Sequence, residues 1–363
     1  MQVLLGPRQV GKTTGVKQIF AKWAGTKIYT SADEVFVPDL TWLQSQWQTA
    51  LASGPKTLLI IDEIQKLSDW ASQIKFLWDR TEESRRPKLV LLGSSSLRLQ
   101  RGLTESLAGR AEWIPVFHWN YLESQEAFGY SLDEYLSLGG YPGADLYRHD
   151  ASRWMSFIKN SVVEAVIGFD ILSQVIITKP ALFRQAFIIL ASHPAQELSF
   201  NSLLGQLQDK GNTDLVKSYL DILSGAFLVH HIQKFSGKNL AMRTSIPKIL
   251  IPAPALISMA VGMEQVKDPI KRGRLFENAV GCDLLKVYPD RLYYWRDGDD
   301  EVDFVIKDND GPIGIEVKSG RRKTSTALKK FRENFKGVRT LIVTPETYEK
   351  FCSDVPGFLR SAL

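Results

Sequence analysis

Gly6-Pro7-Arg8-Gln9-Val10-Gly11-Lys12-Thr13-Thr14 decides how the first third of this chain is read. A short apolar run, Gln2 to Leu5, precedes it. A helical pattern through Val16, Ile19, Phe20 and Trp23 follows it. Strand, GxxxxGK[ST] loop and helix, in that order, form a phosphate cradle. Glycines at 6 and 11 let the backbone turn its N–H groups inward around phosphate oxygens. The helix that follows aims its positive end at the same anion. Lys12 can reach the terminal phosphates, and the Thr13 hydroxyl can bind Mg²⁺. All nine residues from Gly6 to Thr14 are therefore expected to hold ATP.

Working outward, Thr57-Leu-Leu-Ile-Ile61 is a continuous apolar run, as expected for a strand buried on both faces of a parallel sheet. It ends in Asp62-Glu63. Asp62 is assigned to Mg²⁺ and Glu63 to activation of the attacking water. A third run, Lys88 to Leu92, leads into Gly93-Ser94-Ser95-Ser96. A hydroxyl at such a strand tip can touch the γ-phosphate or the water, with Ser94 the first choice and Ser95 the second. In Leu107-Ala-Gly-Arg110, Arg110 reads either as a finger that neutralises transition-state charge, in cis or from a neighbouring subunit, or as a surface salt bridge. A trans role would require a homo-oligomer.

These four motifs, in this order, resemble those of the prokaryotic AAA-type P-loop ATPases, whose C-terminal half is a domain of unknown function. The resemblance covers nearly the whole chain. It implies ATP binding and hydrolysis. Members of that family carry a segment ahead of the first strand, whereas this chain begins almost on it. Between the motifs, Lys27 to Thr30 fits a neighbouring strand. Asp39 to Ala52 and Trp70 to Trp78 fit helices. Helices on both faces of a parallel sheet make a doubly wound layout.

From about Leu122 to Val175 the pattern is amphipathic helix, broken at Gly139-Gly-Tyr-Pro-Gly143. Leu198 to Leu204 then starts a helix with a Ser or Asn cap, and Gly211-Asn-Thr213 caps another. The second carries a stripe of Leu215, Val216, Tyr219, Leu220 and Leu223. Phe227 to Ile232 alternates like a wing strand, completing a winged helix. The exposed face of its second helix shows Asp214, Lys217, Ser218 and Asp221. Two acids against one base suit a structural or protein-contact role better than a phosphate-lined groove.

The last quarter holds a second constellation. Glu301 to Ile306 and Ile313 to Lys318 alternate on either side of Asp308-Asn-Asp-Gly311, a hairpin signal. One loop register sets Asp303 opposite Glu316, and another sets it opposite Lys318. Either way Asp303, Glu316 and Lys318 share one face, with Val302, Phe304, Ile315 and Val317 on the other. Two carboxylates and an ammonium on one face can hold Mg²⁺ and activate water for phosphodiester attack. This is the D-x(12)-ExK form of the PD-(D/E)xK motif of restriction-endonuclease-like folds. Glu277, interrupting an apolar helix, can be its fourth member. The competing reading is a cross-strand salt bridge in an inactive relative. Downstream, Arg321, Arg322, Lys323, Lys329, Lys330, Arg332, Lys336 and Arg339 face one acid, Glu333. They can track the phosphates of DNA or another nucleic acid, or form a solvated helix face. Trp295 reads as core.

The expected layout over 363 residues is therefore α/β. An AAA-type ATPase domain at 1–120 is followed by a helical lid at 121–175, a winged helix at 176–245 and a nuclease-like domain at 246–363. Composition agrees with this and excludes other classes. At 44% hydrophobic and 23% charged residues the chain is globular rather than disordered. Two cysteines exclude a disulfide framework and a cysteine zinc site. Five histidines offer no metal-ligand spacing. A net charge of +5 permits a nucleic-acid partner without requiring one. The opening Met1-Gln-Val-Leu-Leu-Gly6 is too short to read as a signal-peptide core. The longest apolar stretch, Ile249 to Met263, is interrupted by Pro252 and Pro254 and reads as buried core and turn. No membrane association and a cytoplasmic location are expected.

Overall fold

The computed structural model describes residues 1–93, 107–172, 175–207, 212–236, 245–320 and 326–362. It divides into two compact units, Met1–Phe117 with Glu164–Ile176, and His118–Val163 with Ile177–Leu363.

The first unit alternates strand and helix. Its elements are β1 (Gln2–Leu5), α1 (Lys12–Lys22), β2 (Lys27–Ser31), α2 (Leu40–Ala52), β3 (Leu58–Asp62), α3 (Trp70–Arg80), β4 (Lys88–Gly93) and β5 (Glu112–Pro115). All neighbours pair in parallel, in the order β2-β3-β4-β1-β5. Every residue of β3 is buried, and its side chains divide by parity. Leu59 and Ile61 pack with Leu43 and Trp47 of α2 and Ile74 of α3. Leu58 and Ile60 pack with Val16 and Phe20 of α1 on the opposite face. The doubly wound layout expected from the sequence is therefore met, and it brings the phosphate loop and the β3 acids to the same edge of the sheet. Asp39 starts α2 by accepting a hydrogen bond from the Trp42 backbone N–H at 2.8 Å, an ordinary N-cap.

The second unit begins with α4 (Tyr121–Phe128), α5 (Leu132–Leu138) and α6 (Ala151–Ser156). The long amphipathic pattern is thus several helices, because Gly129 ends α4 in the left-handed region and Gly139 ends α5. Gly140, at φ 108°, could not carry a Cβ, which would sit 2.4 Å from that of Ala253. Next come α7 (Pro180–Ala191), β6 (Gln196–Glu197), α8 (Phe200–Gln206), α9 (Thr213–Gly225), β7 (His230–Lys234) and β8 (Lys248–Leu250). Ser199 and Asn212 cap α8 and α9, and Val216, Tyr219, Leu220 and Leu223 are buried. The strand expected from Phe227 starts at His230, and Phe227 itself stands at φ +59°.

The unit continues with α10 (Pro254–Val261), α11 (Pro269–Val287), β9 (Leu292–Asp297), β10 (Asp300–Ile306), β11 (Ile313–Val317), α12 (Thr326–Asn334), β12 (Arg339–Val343), α13 (Pro345–Ser353) and α14 (Val355–Ala362). The stretch from Ile249 to Met263 is buried as expected, but it holds a helix rather than a turn. Pro254 opens α10, a position where a missing N–H costs nothing. One mixed sheet runs β12-β11-β10-β9-β7-β8-β6, so the strands after α9 belong to the same sheet as the Asp303 hairpin. Trp295 is core, edge-on to Phe331 of α12 at 5.3 Å between ring centroids. Among the described residues no helix is long and apolar enough to cross a membrane.

Candidate functional site

The phosphate loop leaves the carboxyl end of β1, and its backbone accounts for its glycines. Gly6 passes so close to Val116 that a Cβ would lie 2.2 Å from that residue's carbonyl oxygen. Gly11, at φ 89°, caps α1 in the left-handed region that glycine adopts without strain. Thr13, in the first turn of α1, donates its hydroxyl to Asp62 Oδ2 at 2.7 Å. The two motifs are thus in contact across the tip of β4, which separates their strands. Tyr29, on the neighbouring β2, donates to the same oxygen at 2.8 Å, and the Glu63 N–H donates to Oδ1 at 2.8 Å. A carboxylate and a hydroxyl side by side are the hard oxygen donors that suit Mg²⁺.

Lys12 reaches back over its own loop and donates to the carbonyl of Gly6 at 3.0 Å, and also to that of Pro7. Burial lowers its pKa to about 8, against the opposing pull of Glu63 and Asp62. A lysine held by carbonyls is available to an incoming phosphate. Glu63 stands at φ 52°, a left-handed conformation that a non-glycine residue adopts only when its surroundings impose it. Gln65, which is buried, donates to its carboxylate.

Arg8 pairs with Asp170, 162 positions away, at 2.6 Å. Sequence reasoning missed both Tyr29 and Asp170. Tyr29 lies in the strand expected at Lys27 to Thr30, and the pairing of that strand with β3 brings it to Asp62. Arg110 is bound through two nitrogens to Asp79 of α3, at 2.7 and 2.9 Å. It precedes β5, and its carbonyl accepts from the Met1 amino group, so it lies at the amino edge of the sheet. The phosphate loop is at the other edge. Within one subunit Arg110 therefore matches the salt-bridge reading rather than a cis finger. Ser94 and Ser95 lie outside the described residues.

In the second unit β10 and β11 pair as Phe304 with Ile315, which sets Asp303 opposite Glu316, the first of the two registers considered. Glu277, Asp303, Glu316 and Lys318 line one cleft of about 870 Å³, together with Glu301 and Lys329. The four residues singled out from sequence are therefore brought together. Their charges are also internally engaged. Asp303 Oδ2 accepts the Val317 N–H at 2.7 Å, and Lys318 donates to Glu316. Burial, with Glu277 and Glu316 nearby, pushes the Asp303 carboxyl well above the usual range.

The residue not foreseen is Lys248. It is fully buried in β8, 2.5 Å from Glu277 Oε1 and 2.8 Å from Glu301 Oε1. Burial works against its charge, but Glu277, Asp303 and Glu301 outweigh it and raise its pKa. Arg274 also donates to Glu277, at 3.0 Å. Oxygens of Glu277, Glu301 and Asp303 all lie within 4.8 Å of one another, a spacing compatible with a shared cation. Lys248 stands just ahead of the apolar run Ile249-Leu250-Ile251, where nothing in the sequence points to its distant partners.

The downstream bases are less free than their count implies. Lys330 pairs with Asp297 and Asp300, and Arg339 with Asp308. Arg332, Lys329 and Lys336 are exposed, while Arg321, Arg322 and Lys323 lie outside the described residues.

Residues 1–125 match the family described as AAA domain. Residues 129–267 and 272–355 match two domains of unknown function, DUF8612 and DUF4143. No curated protein matches the chain. Among solved structures, a Walker-type ATPase of Pyrococcus abyssi is similar at 14% identity and TM-score 0.49, covering 71% of this chain and 90% of its own. The Thermotoga maritima RuvB Holliday junction branch migration motor is similar at 16% identity and TM-score 0.32, covering 63% and 80%. By the family match, residues 1–125 are thus similar to an AAA domain, as their phosphate loop and β3 acids also suggest.

Proposed function

We propose that the chain is a Mg²⁺-dependent ATPase whose C-terminal unit carries a nuclease-like module. The observation that supports the first half is the Thr13–Asp62 hydrogen bond, which joins the phosphate loop to the β3 acids. In this reading the Gly6–Thr14 backbone cradles the phosphates and Lys12 turns from its own carbonyls to the terminal ones. Thr13 and Asp62 would hold Mg²⁺, which neutralises phosphate charge. Glu63 orients and deprotonates the attacking water. Arg110 acts, if at all in turnover, from a neighbouring subunit. The chain works as a soluble, cytoplasmic protein.

A second observation favours the nuclease-like half: Glu277, Asp303, Glu316 and Lys318 share one cleft. In this reading Asp303 and Glu316 would be the ligands of a divalent cation with Lys318 beside them, and the clustered oxygens of Glu277, Glu301 and Asp303 support a cation at this cleft. Three α-helices followed by β7 support reading 176–245 as a winged helix. Its acidic helix face makes it a contact surface rather than a groove reader, and leaves nucleic acid to the C-terminal bases. The rival is a nucleotide-controlled scaffold with a silent cleft, favoured by Lys248 already neutralising Glu277 and Glu301. A Mg²⁺-dependent ATPase and nuclease assay with DNA and RNA, on the parent and on Asp303→Ala and Glu316→Ala, separates them. Cleavage lost in both variants supports the nuclease. No cleavage by the parent, with ATP turnover intact, leaves the scaffold.

A further inference from the structure

Arg8, in the phosphate loop, commits its side chain to a distant partner. Its Nε donates to Asp170 Oδ2 at 2.6 Å, and Asp170 is only 6% exposed. Asp170 lies in the π-helical run Ala165–Ile171. Such runs are uncommon and concentrate at functional positions. The segment holding it, Glu164–Ile176, belongs to the first unit, although the chain on both sides of it, through Val163 and from Ile177, belongs to the second.

A buried carboxylate beside a polyanion site is unfavourable unless something compensates it. Burial does raise the Asp170 carboxyl, and Arg8 pulls it back. The charges of Lys12 and Glu63 also act on it, which places it within the field of the nucleotide site. Phosphate oxygens and this carboxylate therefore compete for one guanidinium. Arginine binds either anion with similar geometry.

We infer that Arg8 exchanges partners: Asp170 holds it when the loop is empty, and nucleotide phosphate takes it over, releasing the segment 164–176. This rests on the ATP-binding reading and adds a regulated contact to it. Because both ends of that segment continue into the second unit, its release would report loop occupancy to the rest of the chain.

The test uses the full chain with Mg²⁺ and a non-hydrolysable ATP analogue. Amide hydrogen exchange across 164–172 is compared with and without the analogue, and affinities are measured for the parent, Lys12→Ala, Arg8→Ala and Asp170→Asn. Exchange in 164–172 is expected to quicken on binding. In both Arg8→Ala and Asp170→Asn it is expected to be fast from the start and insensitive to the analogue. Asp170→Asn should bind the analogue roughly tenfold more tightly, because a charge-assisted bond no longer has to be broken. Arg8→Ala should bind it more weakly. Binding that leaves exchange unchanged or slowed, or an Asp170→Asn affinity equal to or below the parent's, overturns the inference and shows the pair to be a structural pin. A parent that binds no better than Lys12→Ala overturns the ATP reading itself, and this inference with it. If either variant fails to fold, the exchange behaviour of the parent decides.

Discussion

The phosphate loop and the C-terminal cleft are both clusters of acids with lysine, yet they handle charge in opposite ways. Lys12 rests on the carbonyls of Gly6 and Pro7, with the charges of Glu63 and Asp62 acting on it. Lys248 is locked between Glu277 and Glu301, and Lys318 is on Glu316. Neighbouring acids cannot keep Lys12 from being lowered by burial, whereas they raise Lys248 against it. A cation on carbonyls can be handed to a ligand at little cost. A buried cation shared by two carboxylates cannot leave without weakening the whole network. The first arrangement is poised for an anion, and the second is already satisfied from within.

The largest expected effect tests the satisfied side. Lys248→Met removes the buried cation shared by Glu277 and the half-buried Glu301, leaving them to Arg274 and Arg296, and should destabilise the chain by about 3 kcal/mol in urea unfolding. Adding Glu277→Gln should recover part of that. A loss below about 1 kcal/mol would mean that the cleft does not depend on its internal cation. On the poised side, Glu63→Gln should lower ATP turnover by roughly 100-fold while leaving ATP affinity within a few-fold, as loss of a general base does. Equal losses in both would make Glu63 a structural residue.

Smaller still is the pH response. With Lys12 lowered to about 8, the empty loop loses this charge as pH rises through that value. ATP affinity should therefore fall above pH 8, by at most about tenfold per pH unit, and calorimetry there should record proton uptake on binding. A flat profile from pH 7 to 9 would show that phosphate does not contact Lys12. Least affected should be ATP binding by Arg110→Ala, because that side chain is occupied by Asp79 at the far edge of the sheet. A turnover defect that appears only as protein concentration rises would reveal the trans role.

Local pattern carried much of this. The β3 run with its terminal acids, and the loop with its glycines, are each contiguous, so within each motif neighbours in sequence remained neighbours in space. Strand parity was enough to put Asp303, Glu316 and Lys318 on one face. It could not choose the register, which the pairing of Phe304 with Ile315 decides. Lys248 and Asp170 were not legible, because their partners lie 53 and 162 residues away and only the fold brings them close. Nor could the sequence reveal that β7 pairs in parallel with β9 and joins the strands after α9 to the Asp303 sheet. Arg110 had a suggestive position beside the motifs, but its placement depends on β5 running parallel to β1.

The central claim is that Lys12 is held ready for the phosphates of ATP. The direct measurement is steady-state ATP turnover with Mg²⁺ on the parent and on Lys12→Ala. The account predicts turnover by the parent and a fall of roughly 100-fold or more in the variant, the scale seen when a transition-state donor is removed. Equal rates in the two proteins would contradict it.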